Sequence, residues 1–234
     1  MDEKVIRINK ILSNAGFCSR RDANRLIEEK RITFNGNFCE AGQWVKESDE
    51  ILLDNKPIPI KEKIYIALNK PVGITCTASR KVKSNIIDFI NYPDYIFPVG
   101  RLDKDSQGLI LMTNDGELAN KISNPNNEHE KEYLVTVDKH FDDFFMTQMS
   151  KGVEIFGVKT KPCKVSRVNN DTFRIILSQG LNRQIRKMSG VFGYKVEKLE
   201  RIRILNIKIN KTAIGSWRKL TDEEMLKLRS IISI

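Results

Sequence analysis

The chain has 234 residues, of which 40% are hydrophobic, and this is enough apolar material to exclude a globally disordered protein. Its length fits either one large domain or a small domain followed by a medium one. The formal net charge of +10 favours a polyanionic partner, either nucleic acid or an anionic membrane surface, although a basic protein without such a partner can carry the same charge.

What the sequence lacks narrows the function further. It contains no run of about 18 apolar residues, so we expect no membrane span, and its acidic first residues lack the apolar core of a secretory signal. The four cysteines lie far apart without a C-x-x-C pair, which disfavours a zinc site and is typical of a protein of the reducing cytoplasm. Because the chain has only two histidines, catalysis should depend on Asp, Glu, Lys, Tyr or Arg.

Residues 6–58 are predicted to form a small unit of two helices followed by short strands. The first helix has apolar residues at helical spacing and ends at Gly16, because glycine readily adopts the left-handed conformation that stops a helix. Ser19 can cap the second helix by accepting a hydrogen bond from its first turn. Asn35 and Gly36 are a strong signal for a hairpin turn between two strands.

The positive charge is distributed unevenly along the chain. Residues 1–60 hold ten basic and ten acidic residues, so the whole excess belongs to residues 61–234. Within the neutral part, Arg20, Arg21 and Arg25 still gather at the start of the second helix. They form either a local patch for a polyanion or an ordinary solvated helix face.

Beyond a linker at residues 59–65, strand patterns and helix patterns alternate irregularly. Most strand patterns follow one another directly, which indicates an α+β domain with a mixed, mainly antiparallel sheet and flanking helices. Thr221 and Glu224 have the spacing of a capping box before a closing helix. The strand patterns are YIALNK, FPVG, GLILMT, EYLVTVD, CKVSRV, FRIILS and RIRILNIKI, and helices are expected after Ser84, Asp115-Gly116, Asp138, Gly180 and Thr221.

The segment FPVGRLDKDSQGLILMTNDG, residues 97–116, carries the first candidate site. Asp103 and Asp105 lie with Arg101 and Lys104 in a loop between apolar strands, where catalytic groups are often found. A carboxylate nucleophile or base acts in its ionised form, and neighbouring cations favour that form. A charged surface loop with local ion pairs would show the same pattern.

The second candidate site lies in residues 178–204, which are rich in Lys and Arg. Asn182 is expected to cap a helix on which Arg183 and Lys187 are four residues apart, with Arg186 one step around the helix. Such a helix could bind phosphates through forked Arg contacts, or it could be a solvated basic face.

Tyr133 opens an alternating strand in the segment KEYLVTV. Its side chain shares one face with Val135 and Val137, while Leu134 and Thr136 share the other. An aromatic residue there is either part of the core or a platform for a nucleobase, since stacking on a base contributes about 1–3 kcal/mol.

Four stretches of the second part, taken together and in order, resemble the motifs of the RsuA/RluB/RluE/RluF family of ribosomal RNA pseudouridine synthases. The stretch GLNRQIRKM and the residues after it are nearest to the RluF type. The N-terminal stretch RINKILSNAGFCSRRDA resembles the small helix-rich RNA-binding domain that this family shares with a small-subunit ribosomal protein. The resemblance therefore implies an RNA-binding domain at residues 1–60 and a pseudouridine synthase domain at residues 61–234. The four stretches are LNKPVG, GRLDKDSQGLILMTNDG, KEYLVTV and GLNRQIRKM.

The resemblance also implies roles for individual residues. Asp103 corresponds to the catalytic nucleophile, Tyr133 to the aromatic residue that stacks on the target uracil, and Arg186 to the cation that pairs with the catalytic carboxylate. Lys70 and Pro71 correspond to positions in the floor of the site. The residues expected to bind RNA are Arg20, Arg21, Arg25, Lys70, Arg101, Asn182, Arg183 and Lys187.

The resemblance also implies specific positions for Arg101 and Arg183. Arg101 corresponds to the residue beside the nucleophile that can fill the space of a flipped base. Arg183 occupies a position where some relatives have histidine, which leaves the details of base contact open but not the reaction.

The implied reaction cleaves the bond between the uracil nitrogen and the ribose, rotates the base and rejoins it through carbon. It involves no redox change and no net hydrolysis, so neither a cofactor nor a metal is implied. Attack of the carboxylate on the ribose, attack on the base and removal of a sugar proton all stay open. Because the uridine must leave the RNA stack, we expect a closed, water-poor pocket that brings Tyr133 and Arg186 close to Asp103.

The expected partner is large-subunit ribosomal RNA, with tRNA as a second substrate, and the simplest expectation is a cytoplasmic monomer that binds no membrane. The main alternative is a non-catalytic RNA-binding or ribosome-assembly factor with the same two domains. The third interpretation is a metal-dependent hydrolase or nuclease, but two-metal sites need several convergent carboxylates, which the loop at Asp103 does not supply.

Overall fold

The structure is a computed structural model that describes residues 5–46, 48–79 and 81–233. It divides the chain into two compact units. The domain boundary expected at residue 60 stays a prediction, because two short later segments belong to the first unit. The first unit comprises the residues up to Ile64, Tyr92–Phe97 and Thr113–Glu117, and the second comprises Tyr65–Asn91, Pro98–Met112 and Leu118–Ile234.

The first unit contains the two expected helices followed by short strands, but an unpredicted strand, Val5–Arg7, precedes the first helix. Ser19 caps the second helix by accepting a hydrogen bond from the N–H of Asp22 at 3.0 Å, and Gly16 has φ of +73°. Asn35 and Gly36 both have positive φ, as a tight hairpin turn requires. The elements are β1 (Val5–Arg7), α1 (Ile8–Asn14), α2 (Arg20–Glu28), β2 (Ile32–Phe34), β3 (Asn37–Phe38), β4 (Trp44–Lys46), β5 (Ile51–Leu53) and β6 (Lys56–Pro57).

Asn114 is a fully buried residue that joins separate segments of the first unit. Its side-chain oxygen accepts a hydrogen bond from the N–H of Ile64 at 2.9 Å, and its side-chain amide donates to the carbonyl of Glu62 at 2.8 Å. A Cβ added at Gly16 would lie 2.7 Å from this amide. Glycine is therefore required at position 16 for close packing as well as for its backbone conformation.

Most of the strands and helices expected for the rest of the chain are found in the structure. Thr221 and Glu224 form the predicted capping box. The strands are β7 (Tyr65–Lys70), β8 (Phe97–Pro98), β9 (Gln107–Thr113), β10 (Lys131–Val137), β11 (Glu154–Ile155), β12 (Val158–Lys159), β13 (Lys164–Arg167), β14 (Thr172–Leu177), β15 (Val196–Ile204), β16 (Ile207–Lys208) and β17 (Trp217–Lys219). The helices are α3 (Ile86–Ile90), α4 (Gly116–Ser123), α5 (Asp143–Ser150), α6 (Gln184–Val191) and α7 (Asp222–Ile232).

A nine-stranded sheet is present in the described chain, and its main path runs β13-β14-β10-β15-β9-β7-β17. β10 pairs antiparallel with β14 and β15, whereas β15 and β9 run parallel, so the expectation of a mixed, mainly antiparallel sheet is confirmed. Buried side chains that include Val135, Phe145, Phe173 and Met188 join this sheet to α5 and α6. No helix among the described residues is long and apolar enough to cross a membrane.

The structure differs from the expected pattern at several points, and the short strands β1, β4 and β17 are among the elements that were not predicted. The helix expected after Asp138 begins only at Asp143, because the side chain of Asp142 caps it by accepting a hydrogen bond from the N–H of Phe145. The single strand expected at RIRILNIKI is two strands, β15 and β16, since Leu205 has φ of +52° and turns the chain. The β11–β12 hairpin was not predicted, because its strands are too short to show an alternation.

Candidate active site

Asp103 lies in the loop between β8 and β9, and hydrogen bonds hold this loop on both sides of it. The N–H of Gly73 donates to the carbonyl of Lys104 at 2.8 Å. Leu102 is buried, and its N–H donates to the sulfur of Cys76 at 3.4 Å. The backbone around Asp103 is therefore fixed, although its side chain is only half-buried.

Asp103 lines a cavity of about 410 Å³ that lies wholly within the second unit. This volume falls in the range of roughly 300–1,000 Å³ that is typical of small-molecule sites. Among the residues that the structure describes, none forms a hydrogen bond or an ion pair with the Asp103 carboxylate, so the group is available to a ligand. The charged and aromatic residues of the walls include Arg101, Lys131, Tyr133, Arg183 and Arg201.

Tyr133 reaches the same cavity from β10. Val135 and Val137 on its face of the strand are buried in the core, and the half-buried Tyr133 packs against that core. Tyr133 pairs across the sheet with Arg201 of β15, directly after a register shift between Glu132 and Tyr133. Such bulges re-aim side chains next to functional sites, and here Tyr133 and Arg201 become cross-strand neighbours on one face of the sheet.

Arg201 is a buried cation of the cavity, with only 3% of its surface exposed. Its Nε donates to the carbonyl of Leu109 at 2.7 Å and its Nη1 to the carbonyl of Arg101 at 3.4 Å, so it ties β9 to the loop that carries Asp103. Gly108 permits this approach, because a Cβ there would lie 2.3 Å from the carbonyl oxygen of Arg201. The Nη2 of Arg201 is buried and has no partner in the described part of the chain, so one donor is left for a ligand.

Arg186 holds the same loop from helix α6. Its Nη2 donates to the carbonyl of Asp105 at 2.9 Å and lies 3.3 Å from the hydroxyl of Ser106, while its Nη1 donates to the carbonyl of Val196 at 2.8 Å. Burial lowers the pKa of Arg186, and the charge of Asp103 opposes that shift. The expected direct pair between Arg186 and Asp103 is not formed within the described residues, because the guanidinium is occupied by backbone carbonyls. The contact of Arg186 with Asp103 is therefore indirect, through the backbone of the shared loop.

Lys131 adds a second cation to the cavity. It begins strand β10, lines the cavity, and its Nζ donates to the carbonyl of His129 at 3.1 Å. Burial lowers the pKa of Lys131, and the positive charge of Arg201 lowers it further.

Lys70, which was expected to contact RNA, is fully buried at 0% exposure. Its Nζ donates to the carbonyls of Pro71 and Ile74, both at 2.9 Å, and burial lowers its pKa. An ammonium that binds two backbone carbonyls inside the protein cannot reach a phosphate, so a direct RNA contact by Lys70 is wrong. The supporting role expected for Lys70 and Pro71 stays a prediction.

Asn182 and Arg183 line the cavity where α6 begins. The expected cap by Asn182 is wrong, because Arg183 is the N-cap residue, with φ of +51° and no capping hydrogen bond. The side-chain oxygen of Asn182 accepts instead from Lys187 at 3.3 Å, and Arg183 forms an ion pair with Asp105 at 3.3 Å. Asn182 and Arg183 are exposed and Lys187 is half-buried, so all three can contact RNA.

The basic segment at residues 180–203 does not present all of its cations to solvent. Arg203 binds Glu132 at 2.6 Å and Glu130 at 3.0 Å, and Arg201 is buried. These guanidinium groups hold the sheet together. The cations of this segment that can bind phosphate therefore exclude Arg201 and Arg203, while residues at the start of α6 and the exposed Lys195 and Lys198 stay accessible.

Arg20, Arg21 and Arg25 lie exposed on helix α2 of the first unit. Arg25 forms ion pairs with Asp22 at 3.4 Å and with Glu29 at 3.8 Å. Exposed pairs of this kind contribute only about 0–1 kcal/mol, so Arg25 can exchange them for a phosphate.

Arg201 and Lys131 are the cavity residues that the sequence alone did not single out. A signal for Arg201 exists, because Leu199 and Arg201 are two residues apart on one strand and share a face. Leu199 is buried, and a charge at the next inward position is unusual enough to mark a site. Lys131 has no such signal, because it stands at the first residue of its strand.

The chain matches known protein families and relatives over most of its length. The RNA pseudouridylate synthase family model matches residues 64–189, and the S4 domain model matches residues 6–51. The chain is 48% identical over 235 residues to the dual-specificity RNA pseudouridine synthase RluF of Escherichia coli strain K12, across 99% of this chain and 81% of the relative. It is 33% identical over 234 residues to the ribosomal large subunit pseudouridine synthase B of Bacillus subtilis, across 96% of each.

A solved structure shows the same fold. The crystal structure of a pseudouridylate synthase superposes with a TM-score of 0.71 at 29% identity and covers 95% of this chain and 99% of that chain. These matches favour the enzyme over the non-catalytic alternative. The chain therefore belongs to the RNA pseudouridylate synthase family and is an RNA pseudouridine synthase with an N-terminal S4 domain.

Proposed function

We propose that Asp103 is the nucleophile of this enzyme and that its cavity receives a uridine flipped out of the RNA. The observation that carries the proposal is that one cavity joins a carboxylate without a partner among the described residues, an aromatic ring and two cations, from Asp103, Tyr133, Arg201 and Lys131. Because the loop of Asp103 is fixed by hydrogen bonds, the carboxylate meets its target without a further ordering cost.

Tyr133 offsets the cost of base flipping. Extruding a paired base costs a few kcal/mol, and stacking on an aromatic ring returns about 1–3 kcal/mol. Tyr133 supplies this ring beside the cavity, and its packing against Val135 and the rest of the core keeps its orientation fixed.

Arg201 and Lys131 hold the base while it is detached. When the bond between uracil and ribose breaks, negative charge develops on the departing base. Preorganised donors in a water-poor site stabilise such charge more strongly than water does. The free Nη2 of Arg201 and the Nζ of Lys131 are donors of this kind.

The substrate that we propose is large-subunit ribosomal RNA, with tRNA as a second substrate. The support is the similarity to a dual-specificity enzyme and to an enzyme of the ribosomal large subunit. The net charge of +10 also favours a large polyanion.

The RNA-binding part that we propose is residues 1–60, with Arg20, Arg21 and Arg25 as its phosphate contacts. The match of the S4 domain model to residues 6–51 supports this assignment. We further propose that a single chain is sufficient, since residues of one unit line the whole cavity, and that the enzyme works in the cytoplasm, where its four thiols stay reduced.

The test compares Asp103→Asn with Asp105→Asn, a matched substitution two residues further along the same loop. Asp103→Asn should lower the rate of pseudouridine formation on the order of 10⁴-fold or more, as loss of a nucleophile does in other enzymes. Its unfolding free energy should change by less than about 0.5 kcal/mol, because no described residue binds the Asp103 carboxylate. Asp105→Asn loses only an exposed pair with Arg183 and should retain most activity.

The assay incubates each variant with unmodified large-subunit ribosomal RNA and with tRNA transcripts, and maps pseudouridine chemically. Equal loss of activity in both variants would remove Asp103 from the nucleophile role. Modification of neither RNA class by the wild-type protein would show that the substrate assignment is wrong.

A further inference from the structure

Phe156 stands at the tip of the β11–β12 hairpin in a conformation that its residue type disfavours. Phe156 has φ of +50° and Gly157 has φ of +75°, which is the conformation of a two-residue hairpin turn that favours Asn-Gly. A side chain larger than Asn or Asp rarely adopts positive φ. The Phe156 side chain is also 86% exposed, so burial does not compensate for this strain.

The other two-residue hairpin turns with a pair of positive φ values use favoured residues, whereas positive φ outside such hairpins also occurs at Lys30, Glu128 and Arg183. Asn35–Gly36 has the same pair of positive φ values with favoured residues. Leu205 is an apolar residue with positive φ, but it is buried at 8% exposure, so packing stabilises it. Phe156 has neither a suitable residue type nor burial, and strain of this kind is commonly retained for function.

The hairpin holds Phe156 in place. Val153 and Ile155 at its base are buried in the core. The N–H of Val153 donates to the hydroxyl of Thr160 at 2.9 Å, and the N–H of Thr160 donates to the carbonyl of Val153 at 3.0 Å. The exposed ring is therefore presented by an anchored element and loses little freedom on binding.

The ammonium group of Lys187 lies next to the ring of Phe156. The Nζ of Lys187 lies over the Phe156 ring at 4.7 Å from its centroid. The same Nζ donates to Asn182, which lines the catalytic cavity, so a continuous path of side chains leads from the cavity to Phe156. Helix α6 carries Arg186 and Lys187 and no carboxylate, so an anion approaching the ring along this helix meets no acidic side chain from it.

We propose that Phe156 and Lys187 form a stacking site for an unpaired base of the RNA substrate, outside the catalytic cavity. An aromatic face beside an ammonium fits a nucleotide, because the ring takes the base and the cation takes the adjacent phosphate. This site rests on the proposed function, since it binds an RNA strand whose target uridine enters the cavity at Asp103.

The experiment measures binding of two fluorescently labelled probes, a short single-stranded oligouridylate and an RNA duplex of the same length. The main variant is Phe156→Asn, and Phe156→Trp restores an aromatic ring. The matched control is Phe144→Asn, because Phe144 is an exposed phenylalanine of the same unit, at 64%, without a cation over its ring among the described side chains. Thermal unfolding is measured in parallel.

Phe156→Asn should weaken binding of the single strand about tenfold, which corresponds to about 1.4 kcal/mol, and should leave duplex binding unchanged. Its midpoint of unfolding should stay equal or rise, because Asn suits the turn. A residue that only stabilised the fold would give the opposite result. Phe156→Trp should bind as the wild type does, and Lys187→Gln should lower the slope of log affinity against log salt by about one.

The proposal is overturned if Phe156→Asn binds the single strand like the wild type, or if Phe144→Asn loses as much affinity. Failure of the proposed function gives a different result, because then the wild-type protein itself makes no pseudouridine. With a working enzyme, Phe156→Asn should keep its single-turnover rate at saturating RNA.

Discussion

Replacing Arg201 by methionine should separate catalysis from stability. Methionine is unbranched and adaptable, so it fills most of the space of the arginine stem without a charge. The substitution removes the hydrogen bonds to the carbonyls of Leu109 and Arg101 at 2.7 and 3.4 Å, and with them the link between β9 and the loop of Asp103.

The change in stability should be modest because two effects oppose each other. The short bond to Leu109 is a charge-assisted hydrogen bond worth about 1.5–3 kcal/mol, while the longer bond to Arg101 contributes less. Removing the buried cation offsets part of this loss of stability, because a buried charge carries a desolvation cost of several kcal/mol. We expect Arg201→Met to lower the unfolding free energy by about 1–3 kcal/mol.

The change in catalysis should be larger. The carbonyl of Arg101 lies two residues before Asp103, so its release lets the carboxylate move. A displacement of about 1 Å at a reacting group costs roughly 10²-fold in rate. Single-turnover pseudouridine formation should therefore fall about 10²-fold or more, while affinity for RNA, measured separately by titration, stays near the wild-type value.

Arg203→Met is the control for this experiment. Arg203 lies two residues further on the same strand and binds Glu130 and Glu132, away from the loop of Asp103. Its loss should destabilise the fold at least as much as Arg201→Met, and it should leave the rate unchanged well below the midpoint of unfolding. Equal rates for Arg201→Met and Arg203→Met at equal stability would refute both roles of Arg201, the positioning of the loop and the holding of the detached base.

Three further predictions concern Tyr133, Gly108 and the ion pair of Arg218 with Glu224. Tyr133→Phe should keep stacking and most of the activity, whereas Tyr133→Ala should lose about 1–3 kcal/mol of base binding; equal rates in a single-turnover assay would contradict the stacking role. Gly108→Ala should destabilise the chain and abolish activity, because its Cβ would clash with Arg201 at 2.3 Å and its φ is +108°; an unchanged midpoint of thermal unfolding would be inconsistent with this. Arg218 binds both carboxylate oxygens of Glu224 at 2.7 Å and lowers the Glu224 pKa below its ordinary value of 4.5. The stability that this pair contributes is present above pH 4.5 and is lost as the pH falls through the lowered pKa of Glu224. In acid-unfolding measurements, Glu224→Gln should therefore lose less stability than the wild type between pH 5 and about pH 3. Parallel curves of unfolding free energy against pH for the two proteins would exclude this contribution.

The sequence predicts most of the fold and part of the site, for identifiable reasons. Strands such as GLILMT and KEYLVTV have apolar runs or alternation, and both are found as β9 and β10. The motif residues Asp103 and Tyr133 line one cavity, as expected from the resemblance. The hydrophobic pattern of each strand and the order of the motifs were sufficient to predict these features.

Long-range contacts account for what the sequence did not predict. Arg201 becomes a cavity residue only because a bulge aims it beside Tyr133 and because Gly108 of a distant strand leaves room for its backbone. Lys70 was expected to contact RNA because of the resemblance of LNKPVG to a family motif, but two carbonyls inside the fold bind its ammonium. The contact of Lys70 has no signature within the local sequence, and the only local signal for Arg201 is its inward position two residues after Leu199.

The burial of Asn114 decides where the chain can be shortened. A fragment that starts after Ile64 would leave both polar atoms of the Asn114 side chain without the acceptor and donor that now satisfy them, from Glu62 and Ile64. Each of these hydrogen bonds contributes about 0.5–1.5 kcal/mol, and their loss adds to the loss of the residues that cover Asn114. A catalytic fragment intended for separate expression should therefore keep residues 61–64, and one cut only a few positions later should be poorly folded for a reason unrelated to its chemistry.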